Sequence, residues 1–342
     1  MGIACLVGYL VAGTLSAQAL SGWSQWRGPL GTGESPDADP PIHWSETENV
    51  RFKVEIPGNS LSSPVVWGDV IYLMSAVSLD EEAFERARAT AQKVKDDGDW
   101  PPDVAPVRQR FIVQARSRQD GSLLWERTAR EAVPHESHYL DSSWSAASPI
   151  VDGERVYAHF GSNGTYAYDL DGELLWTVDL GDMTVRRGFG EGSSPALHGE
   201  ALVINWDHEG ESFMVALDKA TGEELWRTER PGEVSSWTTP LVVERPEGDQ
   251  IVISSTGYSR GYDFETGTEI WRLSGMTVND IPTPVHRDGI VYLASGYRGN
   301  MLQAVDLARA EGDLEGTDAV RWQYERDTPY VASVLVVEDQ LY

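Results

Sequence analysis

Ser148-Pro-Ile-Val-Asp-Gly-Glu-Arg-Val-Tyr-Ala158, followed by Ala167-Tyr-Asp-Leu-Asp-Gly-Glu-Leu-Leu-Trp176, decides the fold of this chain. The first stretch alternates apolar and polar residues on both sides of an Asp-Gly turn, which is two short strands. The second ends a third strand in Asp, turns through Asp-Gly and closes a fourth on Leu-Trp. The same unit recurs along the chain. Its openings begin at Ser63, Ser148, Ser194, Thr239 and Thr283, and its closings end at Trp125, Trp176, Trp226, Trp271 and Trp322. Pro149, Pro195, Pro240 and Pro284 follow one another at 46, 45 and 44 residues. A sixth unit starts at Ser333. A period of this length made of four short strands is the signature of a β-propeller blade.

The fold expected is therefore all-β: a propeller of four-stranded antiparallel blades, with five complete units and part of a sixth present and seven or eight in a closed ring. The recurring Trp sits at the end of the outermost strand, where a large ring fills the space between blades. Gly222 and Gly267 supply the positive φ of the turn between strands three and four. Asp169, Asp218, Asp263 and Asp306 make local turn hydrogen bonds. Asn49–Ile56, NVRFKVEI, alternates like a strand but has no three strands before it, and is expected to be the outer strand of the last blade, closing the ring.

Composition bounds the function. With 27 basic and 54 acidic residues the net charge is −27, which opposes a phosphate-backbone partner and excludes nucleic acid as the expected one. Gly2 to Leu15 form an uncharged apolar stretch followed by Ser16-Ala17-Gln18-Ala19. This reads as a signal peptide (residues 1–19) cleaved after Ala19, without a second apolar segment to span a membrane. The mature protein is therefore expected to be periplasmic or secreted. Removal of the leader also removes the single cysteine, Cys5, and with it any disulfide or thiolate chemistry. Residues 20–48 form an N-terminal extension ahead of the propeller, 49–342.

The Pro-opened, Asp-turn-Gly, Leu-Trp unit resembles the PQQ-like β-propeller repeat shared by BamB and by quinoprotein alcohol dehydrogenases. Trp23-Ser-Gln-Trp26-Arg-Gly-Pro29 with Gly31 and Gly33, then Trp44 to Asn49, is similar to exported PQQ-like repeat proteins of planctomycete-type bacteria. The resemblance implies either a BamB-like scaffold acting on an envelope protein, or a dehydrogenase holding PQQ and Ca²⁺ in its central mouth. The dehydrogenases commonly use an adjacent cysteine pair over the cofactor, which this chain lacks, and their calcium ligands and catalytic Asp match no particular positions here.

Chemistry is expected on one face. If the four strands alternate direction, the loops joining strands two to three and blade to blade share a face, and these are long and varied. They carry His135, His138, Tyr139 and Trp144; Arg186, Arg187, Phe189 and Glu191; Trp206, Asp207, His208 and Glu209; Trp237; Tyr258 and Arg260; Asn279 and Asp280; and Tyr297, Arg298 and Asn300. Of these, Trp144, Arg187, Glu191, Trp206, Asp207, His208, Trp237, Tyr258, Arg260, Asn279, Asp280, Tyr297 and Arg298 are the expected ligand-mouth residues. His135 and His138 with Asp141 ligate a metal only if a fourth group converges, and no metal site is expected. Asp80 N-caps a helix, with Ala83, Ala87, Ala91 and Val94 near one face, inside an insertion over residues 79–109 that ends in a Pro-rich stretch. The reading reached is a monomeric, non-catalytic scaffold or recognition module binding an envelope protein or glycan. A PQQ-dependent dehydrogenase and a carbohydrate-binding propeller are the alternatives.

Overall fold

A computed structural model describes residues 22–35 and 38–342; the leader expected over residues 1–19 lies outside them. The repeat folds as five successive four-stranded antiparallel sheets, joined in order by a two-stranded start of another. The first runs Val65–Trp67, Val70–Ser78, Gln109–Ser117 and Leu123–Ala132, and the third Ala196–His198, Ala201–Trp206, Phe213–Asp218 and Glu224–Glu229. The fourth gains a parallel strand, Gly312–Asp313, from the long turn of the fifth.

Period-2 alternation decides the packing. Along Ala201–Trp206, Leu202, Ile204 and Trp206 join the core shared with the second blade, while Ala201 and Val203 join the core shared with the fourth. Each sheet thus buries both faces against its neighbours, and a separate apolar cluster fills every successive interface.

Two sets of repeat residues fix the spacing between blades. At the inner edge, the opening Ser or Thr of each unit accepts from the backbone amide of the preceding one: Ser63 N–H to Ser148 Oγ at 2.9 Å, Ser148 to Ser194 at 2.9 Å, Ser194 to Thr239 at 3.2 Å, Thr239 to Thr283 at 3.3 Å, and Thr283 to Ser333 at 2.9 Å. At the outer edge, Trp125, Trp176 and Trp226 donate their indole N–H groups to carbonyls in the next blade's turn, at Leu170, Lys219 and Phe264. Each ring also lies on that turn's glycine: a Cβ on Gly222 would stand 2.8 Å from the Trp176 ring. Trp271 differs, being fully buried and bonded to Gln250 of its own blade under the parallel strand. The turn carboxylates behave as expected, with Asp218 accepting from the Ala220 and Thr221 amides and Asp263 from that of Thr266.

Asn49–Ile56 forms no strand, contrary to the simplest form of the expectation. Nevertheless Phe52 and Val54 stand over Gly121 of the first blade as Trp176 and Val178 stand over Gly222. The insertion contains a helix, Glu81–Asp96, whose first turn is capped by the Asp80 carboxylate accepting from the Ala83 amide at 2.9 Å.

Candidate functional site

The N-terminal extension reaches the inner edge of every sheet at the end where strands one and two turn. Trp23 and Ser24 carbonyls accept from the amides of Val66 and Val151, the Gln25 side chain accepts from the Leu197 amide, and Gly31 lies beside Leu241. Glu34 pairs with Arg287 at 2.7 Å, and Arg27 donates to the Val334 carbonyl at 2.6 Å. Trp26 projects onto the axis, donating from its indole to Thr283 Oγ1 at 3.4 Å.

Above Trp26 lies a cavity of about 330 Å³. Tyr139, Phe189, Trp237, Ile281, Tyr330 and Val331 form its apolar wall, the hydroxyls of Ser142, Ser148, Ser194, Thr239, Thr283 and Ser333 ring it, and Glu191 is its one carboxylate; no Lys or Arg lines it. The inserted segment roofs part of the rim. Its short strand Asp103–Val104 pairs with His138–Tyr139, Phe84, Ala91 and Val104 pack with Leu140, and Lys95 meets Asp141 at 2.7 Å. Trp100 then packs on Tyr139 and Phe189, with centroids 5.3 and 5.8 Å apart, and Phe189 packs edge-on against Trp237 at 5.9 Å. The Trp237 indole is fixed by donating to the Gly190 carbonyl at 2.7 Å.

Glu191 stands on the wall between this cavity and a water-sized side chamber lined by His159, Asn163 and Asn205. Its carboxylate accepts from the Ser162 amide at 2.7 Å and hydroxyl at 2.5 Å. Gly161 leaves room for it, since a Cβ there would collide with the carboxylate oxygen. Burial pushes the Glu191 carboxyl up to about 7 in spite of these donors.

Several expected mouth residues are placed elsewhere, in each case by burial. Trp206 is a core residue stacked on Phe213 with centroids 5.7 Å apart. Asp207 is neither an accessible acid nor a solvated loop charge: it accepts from Arg230 Nε at 2.7 Å and Nη2 at 2.9 Å, and from Ser236 and Ser255 at 2.9 Å each. Burial alone would raise its carboxyl, but the Arg230 guanidinium and the surrounding donors outweigh that and hold it below the ordinary range. His208 is buried, its Nδ1 accepting from the Thr184 amide and its Nε2 bonded to the Glu211 carbonyl. Arg260 is buried against Glu233 and Glu269, with its cationic end also near the Tyr258 ring, which it shares with Arg272.

Asn279, at φ +57°, accepts from Arg186, itself paired with Glu209 at 3.2 Å. Asp280 is buried with Ser254 Oγ donating at 2.5 Å to one oxygen and no hydrogen-bond partner on the other, and burial pushes it up to about 8. Tyr297 stacks on Tyr330 at 4.9 Å, with Arg298 over its outer face, and Arg187 is exposed at φ +51°. Trp144 supports the roof, donating to the Glu136 carbonyl and packing between Phe84 and His138. His138 and His135 bond to separate carbonyls, of Tyr139 and Met183, and the described residues hold no group of three or more His, Cys, Asp or Glu able to bind a metal ion.

Of the thirteen expected residues, only Glu191 and Trp237 line the axial cavity. Tyr330 and Trp26 were missed. The signal for Trp26 was present in the Trp-rich extension, which has no strand pattern and so offered no face on which to place it. Arg230 and Glu233 were missed as well, and nothing in their local sequence distinguishes a buried ion-pair partner from a surface charge.

Methanol dehydrogenase [cytochrome c] subunit 1 of Methylorubrum extorquens is 28% identical over 150 residues, 36% of this chain and 22% of that protein, so the match spans about a fifth of the relative's length. The quinohemoprotein alcohol dehydrogenase of Comamonas testosteroni superposes with a TM-score of 0.51 at 13% identity, over 92% of this chain and 68% of that one, which is a likeness of fold. BamB of Moraxella catarrhalis gives 0.48 at 16% identity over 69% and 66% of the two chains. The sequence profile of the family described as outer membrane protein assembly factor BamB, a PQQ repeat family, matches residues 113–210 and 166–333, more than half of the chain. The chain belongs to this family of PQQ-like repeat propellers.

Proposed function

We propose that the protein is a non-catalytic, exported recognition module that takes a ligand group into the axial cavity. The observation that carries this reading is the division of labour at the mouth. The ionisable side chains Asp207, Arg230, Glu233 and Arg260 are consumed in buried pairs with one another, while the open cavity offers rings, hydroxyls and one carboxylate. Such a lining selects by shape and desolvation and provides no acid and base facing each other across a substrate. The family's description as an outer-membrane assembly factor suits an envelope partner, and no helix among the described residues is long and apolar enough to cross a membrane.

The likeness to methanol dehydrogenase raises the alternative of a bound PQQ with Ca²⁺. PQQ carries three carboxylates, and the cavity offers them no partner: no basic side chain lines it, and its one ionisable group is the acid Glu191. Among the described residues the buried carboxylate and amide oxygens without partners, Asp103 Oδ1, Asn205 Oδ1, Asp280 Oδ1 and Gln303 Oε1, do not line the axial cavity, and only Asn205 reaches the side chamber. These residues do not fit the group.

A photo-crosslinking side chain at Tyr139 and, as control, at exposed Leu225 on an outer strand tests the reading in cells. One discrete adduct at Tyr139 and none at Leu225 is the expected result. Dye-linked alcohol oxidation by the purified protein with added PQQ and Ca²⁺ would overturn it.

A further inference from the structure

We propose that the axial cavity selects an alkylammonium group, presented on an apolar frame, by enclosing it in aromatic rings beside the Glu191 carboxylate. The inference rests on the reading of this cavity as a recognition site and names the chemistry of what it recognises.

Three observations converge. Trp26, Tyr139, Phe189, Trp237 and Tyr330 come from the extension and from loops of separate blades, yet line one cavity of about 330 Å³. Aromatic faces carry negative electrostatic potential, so several rings around one space favour a cation over a neutral group of equal shape, and the preference grows as water is removed. The rings are held in place: the Trp26 and Trp237 indoles are tethered by hydrogen bonds to Thr283 and Gly190, and Phe189 is wedged between Trp100 and Trp237. Such fixed rings cost little to order on binding.

Charge selects the sign. No Lys or Arg lines the cavity, the rim cation Arg186 is paired with Glu209, and Arg298 sits over the Tyr297 ring, outside the lining. With a net charge of −27 the surrounding field adds to the preference for cations. An ammonium is better suited than a guanidinium or an anion, because a compact charge fits a space walled by rings beside a single carboxyl, which a bound cation draws into the ionised form that burial alone disfavours, whereas the donor fork of a guanidinium calls for a bidentate acceptor, and both Glu191 oxygens already receive bonds from Ser162.

The ligand chemistry is shared by a free quaternary or primary amine and by a lysine side chain of a partner segment. Calorimetric titration of the whole protein with choline, with its neutral isostere 3,3-dimethylbutan-1-ol, and with a short peptide carrying one central lysine separates these sources. Choline or the lysine peptide should bind at least tenfold more tightly than the neutral isostere and than the same peptide with norleucine. Trp237→Leu and Glu191→Gln should each weaken the cation at least fivefold, with Trp237→Phe recovering part of the loss and the circular dichroism and Tm of each variant showing that the blades remain folded. Equal or tighter binding of the neutral isostere overturns the inference and leaves the cavity a recognition site of another specificity. Binding of none of the probes, together with absence of a Tyr139 adduct, overturns both.

Discussion

Asp207 and Gly222 show how differently single residues carry this fold. Asp207 is fully desolvated with Arg230, so its removal strands a buried guanidinium, and Asp207→Ala should lower the unfolding free energy by about 3–5 kcal/mol in a urea titration. Asp207→Asn should recover only part of that, since the amide accepts fewer bonds from the Arg230 fork. Gly222 combines φ +76° with an indole ring lying on its Cα, so Gly222→Ala meets both backbone strain and a clash and should cost about 2–4 kcal/mol. At this scale the sequence was partly legible. The turn glycines and aspartates announced their roles through spacing, because turn chemistry is local. The Asp207 pairing was illegible, because its partner lies 23 residues away in a loop without periodicity.

Among the elements, Asn49–Ile56 gains its meaning from a comparison within the molecule. Phe52 and Val54 lie on Gly121 with the same two-residue stagger with which Trp176 and Val178 lie on Gly222 and Trp226 and Thr228 on Gly267. The segment thus takes, over the first blade's turn, the place that an outer strand takes over the turns of the third and fourth, without pairing as a strand among the described residues. Phe52→Ala should then cost about 1–2 kcal/mol and speed amide exchange in the Gln119–Ser122 turn of the first blade; unchanged exchange there would count against the assignment. The inserted helix is a different kind of element. Its small core of Phe84, Ala91, Val104 and Leu140 is separate from the blade cores. Phe84→Ala should therefore release Glu81–Asp96 to fast hydrogen exchange, at a local cost of about 3 kcal/mol, while exchange in the blade strands stays slow. Capping chemistry and the apolar stripe made this helix readable in advance. Whether it would roof part of the mouth or stand as a solvated decoration stayed open, since the contacts that decide it, through Trp100 and Leu140, are tertiary.

For the molecule as a whole, the buried titratable groups set a pH profile. His138 and His159 are held down to about 4 by burial, below the ordinary 6.5, so their contribution is present above 6.5 and lost as pH falls through 4. Glu191 and Asp280 are raised to about 7 and about 8, so the protonated forms favoured in the fold cost stability as pH rises through those values. The two sets offset each other between about pH 4.5 and 6.5; above that the carboxyls act alone, and stability should fall by roughly 2 kcal/mol from pH 6.5 to 8, at about 1.4 kcal/mol per unit of pH for each proton released. Asp280→Asn should remove most of that slope in denaturant titrations at the two pH values. The extension that floors the cavity has a further consequence, in time rather than in space. Trp26 and Arg27 leave the ribosome well before their partners Thr283 and Val334, which follow 257 and 307 residues later. During synthesis the floor of the cavity must therefore wait for the fifth blade and the start of the sixth, so a nascent chain shorter than this leaves the cavity unfloored.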